Sequence, residues 1–286
     1  MPDSPLPIIL VTRDHTPQTH QAYQDVHDEL SQRDDTHLVA SGLTEDIDFA
    51  SLQAELVIVV GGDGAILRAC RQLGTRQIPI LGINLGRLGF LADLTLTEFR
   101  EQIAAITARE YGVVEHLMFE CIHHRQNGSQ QVYLGLNEVA LLSAGALKMI
   151  DIQLQIGDED VATYSGDGLI IATPVGSTAH SLSAGGPILR QDLRAFVVTP
   201  ICPHTLTNRP IIDRADSRYV LEMKDVPDGT HLVIDGQIKL PFDQGDRVEV
   251  RPAQATFQLA RLPGFSYYTT LRKKLDWGRD PRHRGS

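Results

Sequence analysis

The chain has 286 residues, of which 42% are apolar and 22% charged, a composition typical of a folded protein rather than a disordered one. Its formal net charge of −10 argues against a general nucleic-acid-binding protein. The apolar runs are far shorter than a membrane-spanning helix, the first residues lack the pattern of a signal peptide, and the three cysteines are widely spaced, so we expect a soluble, cytoplasmic protein without membrane or nucleic-acid partners.

The first third of the chain alternates between apolar runs typical of buried strands and segments with apolar residues at helical spacing. Because parallel strands need crossover connections, this alternation predicts an α/β domain built on a parallel sheet. The predicted strands span residues 7–12, 36–40, 55–60 and 78–83, and the predicted helices span residues 20–33, 65–73 and 95–109.

After about Gly112 the apolar runs become shorter, and Asn-Gly, Asp-Gly and Gly-Asp pairs recur between them. Such pairs form tight turns between antiparallel strands, so this part predicts a β-rich, sandwich-like domain. The pattern becomes helical again from Tyr268 to Trp277, and we expect this C-terminal helix to return to the first domain. The predicted domains are therefore residues 1–112, with residues 265–286 packed back on them, and residues 113–264.

The most informative local feature is a glycine turn, Gly61-Gly62-Asp63-Gly64, between a predicted strand and a predicted helix. Glycines let the backbone approach a ligand closely, and a helix N-terminus binds phosphate. The turn lacks both the third glycine of a dinucleotide fingerprint and the lysine of a Walker loop. The Asp63 carboxylate, if it lies beside phosphates, could act as a base or as a metal ligand in phosphoryl transfer. An alternative of equal weight is that Asp63 only caps the helix. Arg68 is expected either to face the phosphates or to be an ordinary solvated residue.

A second cluster of small and hydroxyl residues extends from Asp167 to Gly186 and contains an apolar strand at residues 169–171. Its many backbone and hydroxyl donors, with little side-chain bulk, suit a ribose, an adenine edge or a diphosphate. His180 is either a stacking or acid–base residue or a packed structural histidine. The alternative for the whole segment is a serine- and glycine-rich loop without a ligand.

Four blocks of the sequence resemble the NAD kinases, enzymes that phosphorylate the 2′-hydroxyl group of the adenosine ribose of NAD to give NADP. The block that contains residues 173–179 (TPVGSTA) is highly specific, whereas lipid kinases and phosphofructokinases share the glycine turn. The four blocks are residues 61–64, 136–139, 167–187 and 203–211, and residues 235–237 and 271–278 add weaker support.

The resemblance implies that Asp63 is the general base that takes the proton from the 2′-hydroxyl group, while Gly62 and Gly64 shape the phosphate turn. It also implies that Mg²⁺, or another divalent cation, arrives with ATP, since the sequence shows no ligand set for a resident metal. The other implied ligand contacts are Arg68, Asn137, Glu138, Lys148, Asp167 at the nicotinamide end, Val175, Thr178, Ala179, His180, Ser181, Leu182 and Ser183 around the adenosine, and Gln237.

Three residues depart from the usual sequence of the family: Ala65 replaces a threonine after the glycine turn, His180 a tyrosine, and Ala172 a serine. Ala65 bears on whether ATP or polyphosphate is the phosphate donor. His180 predicts that NAD binding depends on pH. Two alternatives remain open, namely a catalytically weak NAD(P)-binding sensor and a lipid or sugar kinase that shares only the glycine turn. The resemblance further implies a homodimer or homotetramer that assembles through the β-rich domain.

Overall fold

The computed structural model describes residues 4–14, 16–86, 89–92, 94–143, 149–205, 207–264 and 266–277. In chain order its strands and helices are β1 (Leu6–Thr12), α1 (Pro17–Ser31), β2 (Thr36–Leu43), β3 (Leu56–Val60), α2 (Asp63–Leu73), β4 (Ile80–Asn84), β5 (Leu94–Thr95), α3 (Leu96–Thr107), β6 (Gly112–His124), β7 (Gln130–Gly135), β8 (Glu138–Leu142), β9 (Ile150–Ile156), β10 (Glu159–Gly166), β11 (Gly168–Ala172), α4 (His180–Ser183), β12 (Ala195–Ile201), β13 (Ile211–Arg214), β14 (Tyr219–Glu222), β15 (His231–Ile234), β16 (Ile238–Pro241), β17 (Arg247–Arg261) and α5 (Tyr267–Leu275). These elements form two compact units, the first from the described residues of Met1–Glu115 and Gln258–Ser286, the second from His116–Phe257.

The first unit is built on a parallel sheet in the order β2–β1–β3–β4, which confirms the predicted α/β architecture. Every residue of β3 is buried, as expected for a strand covered on both faces. Leu10, Val26 and Phe99 join the sheet to α1 and α3 in one apolar core. The C-terminal helix α5 also belongs to this unit, as predicted, and its Lys274 ammonium group lies 4.9 Å from the centre of the Phe90 ring.

The second unit is built on antiparallel strands, as the turn signals predict. One sheet has the order β13–β12–β11–β8–β15–β16, while β10–β9–β14–β17 and the β6–β7 hairpin form the other layer. Side chains of both layers share one core, in which Leu141 and Leu169 of the first lie with Ile152 and Leu221 of the second. The sandwich-like prediction for this unit is therefore confirmed.

Helix α3 begins with a reciprocal pair of capping hydrogen bonds. The Glu98 N–H donates to the Thr95 hydroxyl oxygen at 3.2 Å, and the Thr95 N–H donates to the Glu98 carboxylate at 2.8 Å. This capping box satisfies N–H groups that the helix itself leaves unpaired. Among the described residues, no helix combines the length and the apolar character needed to cross a membrane.

Replacing Thr95 with alanine removes this cap, and we expect the free energy of unfolding to fall by about 1 kcal/mol. Urea unfolding followed by circular dichroism measures the change. Thr97→Ala, at an exposed position in the same helical turn, is the matched control and should change stability by less than about 0.5 kcal/mol. Equal losses in the two variants would contradict the capping role.

Candidate functional site

The glycine turn follows β3 directly and leads into α2, as the sequence predicts. Gly61 has a φ of +148°, which favours glycine, and its N–H donates to the Ile83 carbonyl oxygen at 2.8 Å. Gly62 is the residue that caps α2, and Asp63 is the first residue of the helix. Asp63 therefore does not occupy the capping position, and its carboxylate bonds elsewhere.

The Asp63 carboxylate instead accepts hydrogen bonds from three consecutive backbone N–H groups of another loop. Its Oδ2 accepts from Phe90 at 2.8 Å, and its Oδ1 accepts from Leu91 and Ala92 at 3.0 Å each. A carboxylate has about four lone-pair positions, so these bonds leave one position on Oδ2. The orientation of the carboxylate is thus fixed without any ligand.

Gly89 allows the loop to approach Asp63 this closely. A Cβ at position 89 would lie 2.0 Å from Asp63 Oδ1 and 2.9 Å from the Ala92 carbonyl oxygen. The sequence prediction did not include this loop. The available signal was that Gly86 and Gly89 follow a predicted buried strand, as the glycines at 61 and 62 do.

Two other predicted features of this unit are engaged within the protein. Arg68 Nη1 donates to Glu45 Oε2 at 2.9 Å, and both side chains are partly exposed, so this ion pair contributes little to stability. Ala65 is buried, and a Cβ on Gly61 would lie 3.0 Å from its methyl group. The residue that replaces the usual threonine therefore packs beneath the turn.

In the second unit, the segment that follows β11 lies against the start of β8. The Thr173 N–H donates to the Asn137 carbonyl oxygen at 2.9 Å, and the Thr173 hydroxyl donates to the Leu136 carbonyl oxygen at 2.5 Å. A Cβ at Gly176 would lie 2.0 Å from the Asn137 carbonyl oxygen. The structure thus brings Asn137 together with the segment that carries the predicted adenosine contacts.

Several hydroxyl groups of that segment are bonded within the protein. The Thr178 hydroxyl donates to the Val175 carbonyl oxygen at 2.9 Å. Ser181 is fully buried, and its hydroxyl is 2.8 Å from that of Thr199. Of the other predicted contacts in this unit, Val175 is buried, Ala179 and Leu182 are half-buried, and His180, Ser183 and Gln237 are exposed.

Asp167 lies at the other end of β11 from this cluster. The pairing of β11 with β8 sets Gly168 opposite Leu142 and Ala172 opposite Glu138, which separates Asp167 from the cluster by about 17 Å along the strand. The Cys202 thiol hydrogen-bonds to the Asp167 carboxylate, and this contact raises the pKa of the thiol. The remaining predicted contact, Lys148, lies outside the described residues.

Glu138 is a buried acid, with 4% of its surface exposed. Desolvation and the negative charge of Asp235 raise its pKa to about 8, although the His180 N–H hydrogen-bonds to its carboxylate and opposes the shift. At pH 7 it is therefore a neutral acid that can donate a hydrogen bond. Desolvation also lowers the pKa of His180 from 6.5, so its ring is neutral at that pH.

The fold and the site define a class of two-unit proteins. An α/β unit carries a Gly-Gly-Asp-Gly turn with an oriented carboxylate, and a β-sandwich unit carries a segment rich in glycine and hydroxyl residues, at residues 173–186. The second feature distinguishes this class from proteins that share the glycine turn alone.

The family can be named from comparisons with known proteins. The protein-family model of the ATP-NAD kinase N-terminal domain matches residues 9–111. The family model of the ATP-NAD kinase C-terminal domain matches residues 136–262. The chain is 45% identical to the NAD kinase of Rhodopirellula baltica, over 84% of this chain and 77% of that protein, and 39% identical to that of Geotalea daltonii, over 79% and 80%. The chain therefore belongs to the NAD kinase family.

Solved structures share the fold. Yeast NADH kinase complexed with NADH matches with a TM-score of 0.88 and 22% identity, over 99% of this chain and 91% of that chain. An NAD kinase from Archaeoglobus fulgidus in complex with ATP matches with a TM-score of 0.71 and 24% identity, over 95% and 99%. Both likenesses extend well beyond the glycine turn.

The raised pKa of Glu138 predicts how stability changes with pH. Between pH 4.5 and about 8 the folded state binds more protons at this side chain than the unfolded state, so its contribution to stability falls as pH rises through this window. As pH rises through this window, we expect the free energy of unfolding of Glu138→Gln to increase relative to that of the wild type by up to about 1.4 kcal/mol per pH unit. Urea unfolding at four pH values between 5.5 and 8.5 measures this slope.

The control is Glu159→Gln, which changes an exposed carboxylate at the start of β10 in the same unit. Its stability relative to the wild type should not vary with pH in this window. A Glu138→Gln protein with the same flat profile would contradict the neutral, buried acid.

Proposed function

We propose that this protein is an NAD kinase that transfers the terminal phosphoryl group of ATP to the 2′-hydroxyl group of the adenosine ribose of NAD. One observation carries the proposal: the Asp63 carboxylate, in the glycine turn of a family member, is held by three N–H groups, and the donors in the described part of the chain leave it one acceptor position. An alcohol is a weak nucleophile at neutral pH, and an oriented carboxylate assists its attack by accepting its proton.

In the proposed step, the remaining position on Asp63 Oδ2 accepts a hydrogen bond from the 2′-hydroxyl group. The proton passes to the carboxylate while the ribose oxygen bonds to the γ-phosphorus. The bond between that phosphorus and the β,γ-bridging oxygen breaks, and ADP leaves as NADP forms. Mg²⁺, or another divalent cation, enters with ATP as part of the substrate and neutralises charge on the phosphates.

The second unit supplies the proposed contacts to NAD. The neutral acid of Glu138 can donate a hydrogen bond without repelling a diphosphate, and Asn137 lies beside it. The distance of about 17 Å between Asp167 and this cluster suits an elongated dinucleotide with its nicotinamide end at Asp167. The NADH and ATP complexes of the two similar structures support NAD and ATP as the substrates.

Other features remain predictions of the resemblance. We propose ATP as the phosphate donor, and polyphosphate stays an alternative because Ala65 removes a hydroxyl group from the turn. A cytoplasmic location and a homodimer or homotetramer that assembles through the second unit are likewise predicted. Comparing rates with ATP and with polyphosphate at equal Mg²⁺ tests the donor.

Asp63→Asn tests the base directly. Asparagine has nearly the same shape but cannot take up the proton, so we expect kcat for NADP formation from NAD, ATP and Mg²⁺ to fall by about 10²- to 10⁴-fold. The dissociation constant for NAD, measured by calorimetry without ATP, should stay within a few-fold of the wild-type value. Asp34→Asn, at an exposed position of the same unit, is the control and should keep full activity.

Two outcomes would contradict this account. Full activity in Asp63→Asn would show that another group takes the proton. A wild-type protein that binds NAD and NADP, as detected by a rise in melting temperature, but makes no NADP would be the sensor rather than the kinase.

A further inference from the structure

The link between β7 and β8 is held by a carboxylate from a distant strand connection. Asp235 Oδ1 accepts hydrogen bonds from the N–H groups of Leu136 at 3.1 Å, Asn137 at 2.7 Å and Glu138 at 3.2 Å. Its Oδ2 also accepts from Leu136 at 3.1 Å, and the Asp235 N–H donates to the Glu138 carbonyl oxygen at 2.9 Å. One side chain thus sets the conformation of the link that contains both Asn137 and Glu138.

The backbone at Asp235 is adapted to this contact. The φ angles of Asp235 and Gly236, between β15 and β16, are +51° and +63°, as in the type I′ turn that an Asp-Gly pair favours. A hairpin turn of this kind needs no buried acid, because its central residues normally face solvent. Asp235, however, is only 5% exposed, and its carboxylate points into the protein to meet three N–H groups.

We propose that Asp235 is a positioning residue for NAD: by holding the link at residues 136–138, it fixes Asn137 and Glu138 in the conformation that binds the dinucleotide. The inference rests on the proposed function, which assigns these two side chains to NAD. Because Asp235 acts through them, its loss should weaken NAD binding far more than it slows the chemical step.

The charge of Asp235 supplies a second readout. Desolvation and the charge of Asp235 raise the pKa of Glu138, whereas the hydrogen bond from the His180 N–H lowers it. The charge of Asp235 also acts on the Cys121 thiol of β6. The His180 ring is neutral above pH 6.5, and burial raises the pKa of the Cys121 thiol. Of these groups, Glu138 therefore titrates between pH 7 and 9, and its ionisation beside the diphosphate should raise KM for NAD.

The experiment compares the wild type with Asp235→Asn and with the control Asp228→Asn, an exposed position before β15. Asparagine keeps one acceptor oxygen and removes the charge. Hydrogen exchange of the backbone amides of residues 136–138 is measured in the ligand-free proteins, and KM for NAD and kcat are measured from pH 6.5 to 9.5.

For Asp235→Asn we expect faster exchange at residues 136–138, a KM for NAD raised about 10- to 100-fold, and a kcat within a few-fold of the wild type. The increase of KM with pH, which starts near pH 8 in the wild type, should start at lower pH, a shift that a merely structural role would not produce. Asp228→Asn should match the wild type in every measurement.

An unchanged KM and pH profile in folded Asp235→Asn would overturn the inference. If Asp235→Asn does not fold, Asp235→Glu is used instead, because glutamate keeps the charge but displaces the carboxylate oxygens. Wild-type hydrogen exchange together with a wild-type KM in Asp235→Glu would also overturn the inference. Absence of NADP formation by the wild type would overturn the proposed function and the role of Asp235 toward NAD. Hydrogen exchange in the ligand-free proteins would still show whether Asp235 holds residues 136–138, so it distinguishes a wrong function from a wrong role of the Asp235 contact.

Discussion

Each unit depends on the same interaction: a carboxylate that accepts hydrogen bonds from three consecutive backbone N–H groups. Asp63 holds residues 90–92 in the first unit, and Asp235 holds residues 136–138 in the second. Backbone N–H groups in a loop must find acceptors, and a single carboxylate satisfies several at once. Both carboxylates thereby order backbone at or beyond the end of a strand, which gives the preorganisation that the proposed phosphoryl transfer and NAD binding need.

The parts of the fold that could be predicted have local causes. Buried apolar runs predict β1, β3 and β4, and helical spacing predicts α1, because each pattern reflects the face that the same segment buries. The glycine turn was predicted for the same reason, since its conformation depends on its own residues. The Asp-Gly pairs likewise predict tight turns, and Asp235 and Gly236 form one between two strands.

The partners of the two carboxylates could not be predicted, because they lie 27 to 29 residues from Asp63 and 97 to 99 residues from Asp235. Only the pairing of strands brings them together. The pKa of Glu138 has the same origin, since it reflects burial and the charge of Asp235, which lies in a distant turn. The buried hydroxyl of Ser181 shows that composition alone does not separate residues that pack from residues that bind a ligand.

The proposed phosphoryl transfer depends on the orientation of the Asp63 carboxylate and not only on its presence. Gly89→Ala tests it most directly, because the new Cβ would meet Asp63 Oδ1 while every polar group is retained, and Gly112→Ala, where a Cβ would lie 3.9 Å from the nearest atom, is the control. In single-turnover measurements we expect about 10²-fold slower NADP formation by folded Gly89→Ala, with NAD affinity within a few-fold of the wild type, and an unchanged rate in the control. A wild-type rate in folded Gly89→Ala would contradict it.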